Sequence, residues 1–227
     1  MKNLFVFVSV LLTTSIILLS CGNDCDCSKD EVSKKVHDQT SNYKEVKIGN
    51  QVWMTENLNV DKFRNGDPIP QTKTAEEWEI ACENNQPAWC YYDNDPTKGE
   101  SYGKLYNWYA VNDTRGLAPQ NWHIPSDAEW TVLTKYLGKD AGNKMKSSYG
   151  WSDGGNGTNQ SGFSGLPGGW CNYSGEFDNI YVRGYWWSSS DDDINYAWSR
   201  DLSYYDDYVS RDFSEKLRGL SVRCIRD

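Results

Sequence analysis

Aromatic and acidic side chains lie close together near the C-terminal end of the chain, in the stretch GYWWSSSDDDINYAWSRDL at residues 184–202. An indole ring can stack on the apolar face of a sugar, and carboxylates can accept hydrogen bonds from its hydroxyl groups. These residue types therefore predict a site for a glycan or a peptide, with the candidates Trp170, Trp187, Trp198, Asp191, Asp192, Asp193 and Tyr205. The alternative is that the tryptophans fill a core, since burying one aromatic side chain removes about 150–250 Å² from water.

Two loops carry runs of oxygen ligands, which hard cations such as Ca²⁺ prefer. They are Asp93-Asn94-Asp95 and Asp191-Asp192-Asp193. Neither has the spacing of an EF-hand loop, and solubilising turn residues would look the same. We expect no cofactor, and calcium is the one ion that these runs would suit.

Catalytic chemistry has few candidates in the sequence. His123 is the single histidine after residue 44, so a nucleophile–histidine arrangement would have to use it. It stands just before Ile-Pro-Ser at a predicted helix start, which favours a structural role. No pair of carboxylates stands out from the many acidic residues, and we assign no catalytic residue.

The N-terminus predicts export and lipidation. Lys2 precedes an apolar run at residues 4–19, and Ser20-Cys21 follows in the manner of a bacterial lipobox. We expect residues 1–20 to be a lipoprotein signal peptide and Cys21 to carry palmitate and related acyl chains. Residues 21–44 are polar and predict a flexible tether. The protein would then be anchored to the cell envelope, at the outer membrane, and a periplasmic or a surface-exposed location both fit.

Charge and length constrain the rest of the chain after the tether. The net charge of −9 argues against nucleic acid as a partner. Residues 45–227 have the length of one domain and contain no low-complexity linker. Once Cys21 is lipidated, six cysteines remain for disulfides in an exported chain, and six cysteines allow 15 pairings.

Local patterns predict a hairpin, two helices and a run of strands. EVKIGNQVWM at 45–54 alternates around Gly49-Asn50 and predicts a hairpin. Thr74-Ala75-Glu76-Glu77 and Ser126-Asp127-Ala128-Glu129 are capping-box patterns, which predict helices to about Glu83 and to Gly138.

From residue 180 onward the side chains alternate with period two, which predicts an antiparallel meander that continues to GLSVRCIRD. Trp186 and Trp187 are adjacent, so they must point to opposite faces of the sheet. One should enter the core, and the other should face solvent, a covering loop or a ligand.

Seven motifs in chain order carry a family resemblance: VKIGNQVWMTENLNV, YGKLYNWYAV, RGLAPQNWHIPSDAEWTVLTKYLG, SGFSGLPGG, GYWWSSS, AWSRDL and SVRCIRD. They resemble the Fibrobacter succinogenes major paralogous domain of Bacteroidetes and Fibrobacteres lipoproteins. The resemblance implies an α+β fold related to C-type-lectin-like and formylglycine-generating-enzyme-like domains. Such a fold has two short helices, a small antiparallel sheet and long loops. It implies no established reaction.

Two cysteines depart from the pattern of this family, at Cys82 and Cys171. Their joint departure favours a Cys82–Cys171 disulfide beside a Cys90–Cys224 disulfide.

The sequence thus predicts an envelope lipoprotein that acts as a binding or adhesion module for glycans or peptides. Two alternatives stay open. One is a carbohydrate-active envelope enzyme, and the other is a structural surface protein without a small-molecule ligand.

Overall fold

The computed structural model describes residues 43–227, in which short helices mix with short strands in an α+β arrangement. The helices are α1 (Ala75–Glu83), α2 (Pro96–Tyr102), α3 (Trp108–Val111), α4 (Asp127–Leu137) and α5 (Ala141–Met145). The strands are β1 (Glu45–Ile48), β2 (Gln51–Met54), β3 (Trp89–Cys90), β4 (Leu105–Tyr106), β5 (Trp122–His123), β6 (Gly168–Cys171), β7 (Phe177–Ile180), β8 (Arg183–Asp191), β9 (Tyr196–Ser203), β10 (Ser210–Glu215) and β11 (Ile225–Arg226). The signal peptide, Cys21 and nearly all of the predicted tether lie outside the described residues.

The N-terminal hairpin forms as predicted. Strands β1 and β2 pair antiparallel with Glu45 opposite Met54 and Ile48 opposite Gln51. Tyr43, just before the hairpin, already packs on the domain, since its ring meets that of Trp122 edge-on at 6.2 Å.

Both predicted helix starts are also confirmed. The Thr74 hydroxyl accepts the Glu77 amide at 3.1 Å at the start of α1. At α4 the Ser126 hydroxyl and the Glu129 carboxylate complete a reciprocal capping box, and the helix ends at Gly138. The apolar stripe of α4 faces inward, with Trp130, Leu133 and Leu137 buried. Helices α2, α3 and α5 are short additions that the sequence patterns did not predict.

After residue 180, strands β8, β9 and β10 make the expected antiparallel meander. They join β6 and β7 in a sheet of order β10-β9-β8-β6-β7. The prediction was wrong for the last segment. Strand β11 leaves the meander and pairs with β2 and β5, in a sheet of order β1-β2-β11-β5. Alternation in the sequence identifies a strand but does not identify its partner, and here the partner lies at the other end of the domain.

Strand β8 separates two hydrophobic cores. Trp186 packs in one core with Trp53, Trp130 and Phe163. Trp187 packs in the other core, which contains Trp108. The adjacent tryptophans therefore point to opposite faces, as predicted, but both are buried, with 1% and 0% of their surface exposed.

The glycine-rich stretch 152–169 follows a tightly packed path instead of acting as a linker. A Cβ at Gly155 would stand 2.3 Å from the carbonyl oxygen of Tyr204, so a larger residue would separate the two segments. The embedded Phe163 is completely buried in the core around Trp186.

Candidate functional site

A polar cleft of about 660 Å³ opens beside the end of β2. Its walls come from the segment after β2, the C-terminal end of α2 and two loops near residues 149 and 165. The lining side chains that carry polar groups include Glu56, Asn57, Asn59, Glu100, Tyr149 and Arg223. A volume of this size suits a small ligand, since ligand pockets commonly span roughly 300–1,000 Å³.

A network of hydrogen bonds forms the floor of the cleft, with Asn57 at its centre. The Asn57 Oδ1 atom accepts from Arg223 Nη2 at 2.6 Å, from Arg223 Nε at 3.1 Å and from Trp186 Nε1 at 2.8 Å. Its Nδ2 atom donates to the carbonyl oxygen of Tyr102 at 2.9 Å and to Ser221 Oγ at 3.2 Å. One amide side chain thus joins the cleft to the core, to α2 and to the C-terminal segment.

Arg223 is a buried cation held by oxygen atoms that carry no formal charge. Besides Asn57, it donates to the carbonyl oxygens of Met54 at 3.2 Å and Phe163 at 2.5 Å. The guanidinium carbon lies 4.4 Å from the centre of the Phe163 ring. Burial lowers the pKa of Arg223 to about 9, so the side chain still carries its charge at neutral pH. Among residues 43–227 no carboxylate lies within ion-pair distance of it.

The rim of the cleft is exposed and combines one ring with several charges. Tyr149 is 64% exposed. Lys44 and Glu56 form an ion pair of 2.7 Å on the same rim. This arrangement offers an aromatic face, two carboxylates and amide groups to a ligand that enters from solvent.

Close backbone contact keeps the two main walls together. Gly103, with φ of 72°, ends α2 directly against the segment after β2. A Cβ at this position would lie 2.8 Å from the carbonyl oxygen of Leu58 and 3.0 Å from Asn57 Cβ. Glycine is therefore required both by the backbone angle and by the space.

The residues singled out from the sequence do not line this cleft. Trp187 is wholly buried, and its Nε1 atom donates to the carbonyl oxygen of Tyr106 at 2.8 Å. Its assignment as a ligand-binding residue is therefore wrong, because the core around Trp108 covers the side that a ligand would need.

The other two tryptophan candidates are partly buried and stack on cations. The Arg211 guanidinium lies 3.5 Å from the centre of the Trp198 ring, and that of Arg218 lies 4.4 Å from the centre of the Trp170 ring. In each case a side chain of the protein already occupies one face of the indole. Tyr205 is 60% exposed, and its hydroxyl accepts a hydrogen bond from Arg183.

The aspartates at 191–193 form the exposed end of the β8–β9 connection. Asp193 Oδ1 accepts from the backbone amides of Asn195 at 2.7 Å and Tyr196 at 2.8 Å. Lys216 Nζ lies 3.8 Å from an Asp191 oxygen. In the described part of the chain, no group of three or more His, Cys, Asp or Glu side chains is placed to hold a metal ion. The hydrogen bonds that Asp193 accepts within the turn account for the conformation of this connection.

His123 bridges two carboxylates instead of a nucleophile. Its Nε2 atom is 2.8 Å from Glu129 Oε1, and its Nδ1 atom is 2.7 Å from Asp227 Oδ1. This geometry ties the last residue of the chain to the start of α4. It supports the structural role, although the partners are side chains and not backbone groups.

The four cysteines of the domain are free thiols in the structure. Cys82, Cys90 and Cys171 share one small buried cluster, whereas Cys224 lies in the core around Trp108. The expected Cys90–Cys224 bond is not formed, because its two thiols belong to different clusters.

Sequence reasoning missed Asn57 and Arg223, the two residues at the centre of the cleft floor. One signal for Arg223 was present, since an arginine between Val222 and Cys224 interrupts an apolar segment. A charged residue in such a position is seldom buried without a specific set of partners.

These features define an α+β domain whose strands and loops surround a polar cleft with a buried arginine at its floor. The family described as the Fibrobacter succinogenes major domain matches residues 46–226, and the chain belongs to this family. No curated protein and no solved structure matches it. None of the helices between Tyr43 and Asp227 combines the length and the apolar character that crossing a bilayer requires.

Proposed function

We propose that this protein is a lipoprotein of the bacterial cell envelope whose domain binds a glycan or a peptide in the cleft beside Arg223. The observation that carries the proposal is the exposed ring of Tyr149 beside polar groups that line the same cleft. Sugars and peptides both present hydroxyl or amide groups next to apolar surfaces. The cleft therefore replaces the 184–205 region as the ligand site, and no metal ion is part of the proposal.

The rigid floor supports a binding role. Asn57 and Arg223 are fixed by hydrogen bonds to the core, so they lose little side-chain entropy when a ligand arrives. The rim is exposed and able to adapt, with Tyr149 and the ion pair between Lys44 and Glu56. We also propose that the architecture belongs to the C-type-lectin-like class, and its short helices, small sheets and long ordered loops support this.

Binding is tested with folded protein that lacks the lipid, on a glycan array and in a peptidoglycan pull-down, followed by calorimetry with any positive ligand. Tyr149→Ala should weaken binding by about 5- to 30-fold, as expected for the loss of an aromatic contact of about 1–2 kcal/mol. Tyr173→Ala is the matched control, since this tyrosine is 54% exposed on a different turn. Equal binding by both variants would rule out the cleft as the ligand site. Absence of binding in every screen would favour a structural surface protein without a small-molecule ligand.

A second candidate is hydrolysis of a glycosidic bond, because two carboxylates, Glu56 and Glu100, line the same cleft. Paired carboxylates are what glycoside hydrolysis requires. Release of labelled sugar from cell-wall polysaccharide by the wild type, abolished in both Glu56→Gln and Glu100→Gln, would establish this activity. Glu76→Gln on α1 serves as the control.

The envelope location rests on Cys21 and has its own test. Cells expressing the full chain and fed radiolabelled palmitate should incorporate label into the wild type but not into Cys21→Ala. Fractionation should place the wild type with the outer membrane. Recovery of an unlabelled protein from the cytosol would exclude the lipoprotein proposal, whatever the cleft binds.

A further inference from the structure

Three thiols from three separate elements meet in one buried cluster. Cys82 belongs to α1, Cys90 to β3 and Cys171 to β6. Each has at most 2% of its surface exposed, and all three pack in the cluster that contains Trp78. No other cysteine in the described residues lies in this cluster, so a bond between described cysteines here would join two of these three.

The side-chain contacts distinguish the three thiols. The Cys90 and Cys171 side chains lie against each other, and Cys171 Sγ also donates to the carbonyl oxygen of Asn172 at 3.5 Å. Cys82 donates to the carbonyl oxygen of Leu217 at a shorter 3.1 Å, which directs its sulfur toward the backbone. Cys171 lies against Gly219, where an added Cβ would come within 3.0 Å of the Cys171 Cβ, so the C-terminal segment closes over the cluster.

We propose that Cys90 and Cys171 form a disulfide when the chain folds in an oxidising compartment, with Cys82 held beside the bond as a third thiol. This inference goes beyond the proposed function, because it concerns a covalent link in the domain and not the ligand cleft. It also replaces both pairings that the sequence favoured.

The oxidant is a disulfide, either of an envelope thiol oxidase or of oxidised glutathione. The thiolate of one cysteine attacks the donor disulfide, forming a mixed disulfide and releasing the first donor thiolate. The second cysteine loses its proton and attacks the mixed disulfide, which forms the Cys90–Cys171 bond and releases the second donor thiolate. Two protein thiols are oxidised, and the donor disulfide is reduced to two thiols.

Burial decides when the bond forms and why it persists. Burial raises the pKa of the Cys82 thiol to about 12, and it raises that of Cys90 well above its ordinary value. Thiolates are the attacking species, so exchange takes place before the cluster closes. In the folded domain Cys82 stays protonated and does not attack the neighbouring bond.

The test is a disulfide map of the full chain recovered from the envelope, alkylated in denaturant and digested without reduction. We expect one peptide pair joining Cys90 to Cys171, lighter by two hydrogens than the sum of its thiol forms, with Cys82 and Cys224 alkylated. In Cys90→Ser the link should move to Cys82–Cys171. Cys224→Ser is the control and should leave the wild-type link in place.

A second preparation tests the Cys90–Cys171 pairing independently of the location of the protein in the cell envelope. The same chain is made reduced, unfolded, and refolded in a glutathione redox buffer, then mapped in the same way. The Cys90–Cys171 link in this preparation supports the pairing even if the envelope preparation contains only thiols. Four alkylated domain thiols after refolding, or a link from any of these three to Cys224 or to the N-terminal Cys25 or Cys27, would overturn it. A wild-type link between Cys82 and Cys171 would also overturn it.

Discussion

Trp186 and Trp187 are neighbours in the chain but belong to different hydrophobic cores on the two faces of β8. Each indole nitrogen has its own buried acceptor, Asn57 Oδ1 for Trp186 and the Tyr106 carbonyl for Trp187. Strand β8 therefore lies between the two cores and contributes one tryptophan to each. Trp186 additionally connects its core to the floor of the cleft through Asn57.

Replacing Trp187 should show that it is a core residue. Trp187→Ala should lower the free energy of unfolding by about 3–5 kcal/mol, as expected for removing a buried indole. The measurement is urea-induced unfolding followed by circular dichroism. Tyr205→Ala removes a 60% exposed ring and should change stability by no more than about 0.5 kcal/mol. Similar small effects for both variants would contradict the buried position.

Replacing Arg223 should be costly although it forms no ion pair among the described residues. Arg223→Met removes the donor from the Met54 and Phe163 carbonyls, and each buried acceptor left without a donor costs about 1–3 kcal/mol. Asn57 Oδ1 also loses this donor but keeps its bond from Trp186 Nε1. Arg223→Lys should rescue little, because one ammonium cannot reproduce the planar fork of the guanidinium. Arg226→Met is the control, since Arg226 is 49% exposed in its pair with Glu45. Its loss should cost about 0–1 kcal/mol. An Arg223→Met protein as stable as the control would refute the network.

The contact between His123 and its two carboxylates predicts a pH dependence. Burial lowers the pKa of His123, but the hydrogen bonds to Glu129 and Asp227 outweigh it and hold the pKa above its ordinary value. The stabilisation is then complete below the unfolded-state value of about 6.5 and is lost as the pH rises through the higher folded value.

Glu129 limits the same contact at low pH. Burial raises its pKa, but bonds to Ser126 and His123 outweigh this and hold it below the ordinary value. The difference in Tm between wild type and His123→Gln should therefore be largest between the ordinary pKa values of glutamate and histidine, about 4.3 and 6.5, and should shrink as the pH rises above this range. Since the ring is 38% exposed, solvent screening keeps the effect within about 1 kcal/mol. A difference that grows with rising pH would contradict the assignment.

Two glycine substitutions separate backbone strain from crowding at the cleft. Gly103 and Gly138 have similar backbone angles, with φ of 72° and 81° and ψ of −153° and −161°. Alanine at Gly138 meets nothing within 4 Å, so it should cost only the conformational penalty of about 1–3 kcal/mol. Alanine at Gly103 should cost more, because the Leu58 carbonyl must also move. Calorimetric Tm values compare the two, and only Gly103→Ala should also weaken ligand binding. Equal losses of stability would mean that the two walls are not in close contact.

Features encoded by neighbouring residues were predictable from the sequence. The caps at Thr74 and Ser126 depend on groups three residues apart, and both form as expected. Likewise, period two in β8 requires Trp186 and Trp187 to face opposite sides, and they do.

Features that depend on distant segments were not predictable. Which loops cover Trp187, and which strand pairs with the C-terminal segment, depend on contacts with parts of the chain far away in sequence. The cleft belongs to this second kind. Asn57 lies in a polar stretch and Arg223 at the far end of the domain, and only the closed fold brings them together.

The two-residue strand β11 has a consequence for the order in which the domain is made. Ile225 lies between Trp53 of β2 and His123 of β5, so a central strand of the first sheet is supplied by a segment that lies far along the chain from the hairpin. While the polypeptide is still being synthesised, the first hairpin has an unpaired edge that nothing nearby in sequence can fill. A chain cut just before residue 225 would therefore keep the paired strands β8, β9 and β10 but would leave the first sheet open between β2 and β5.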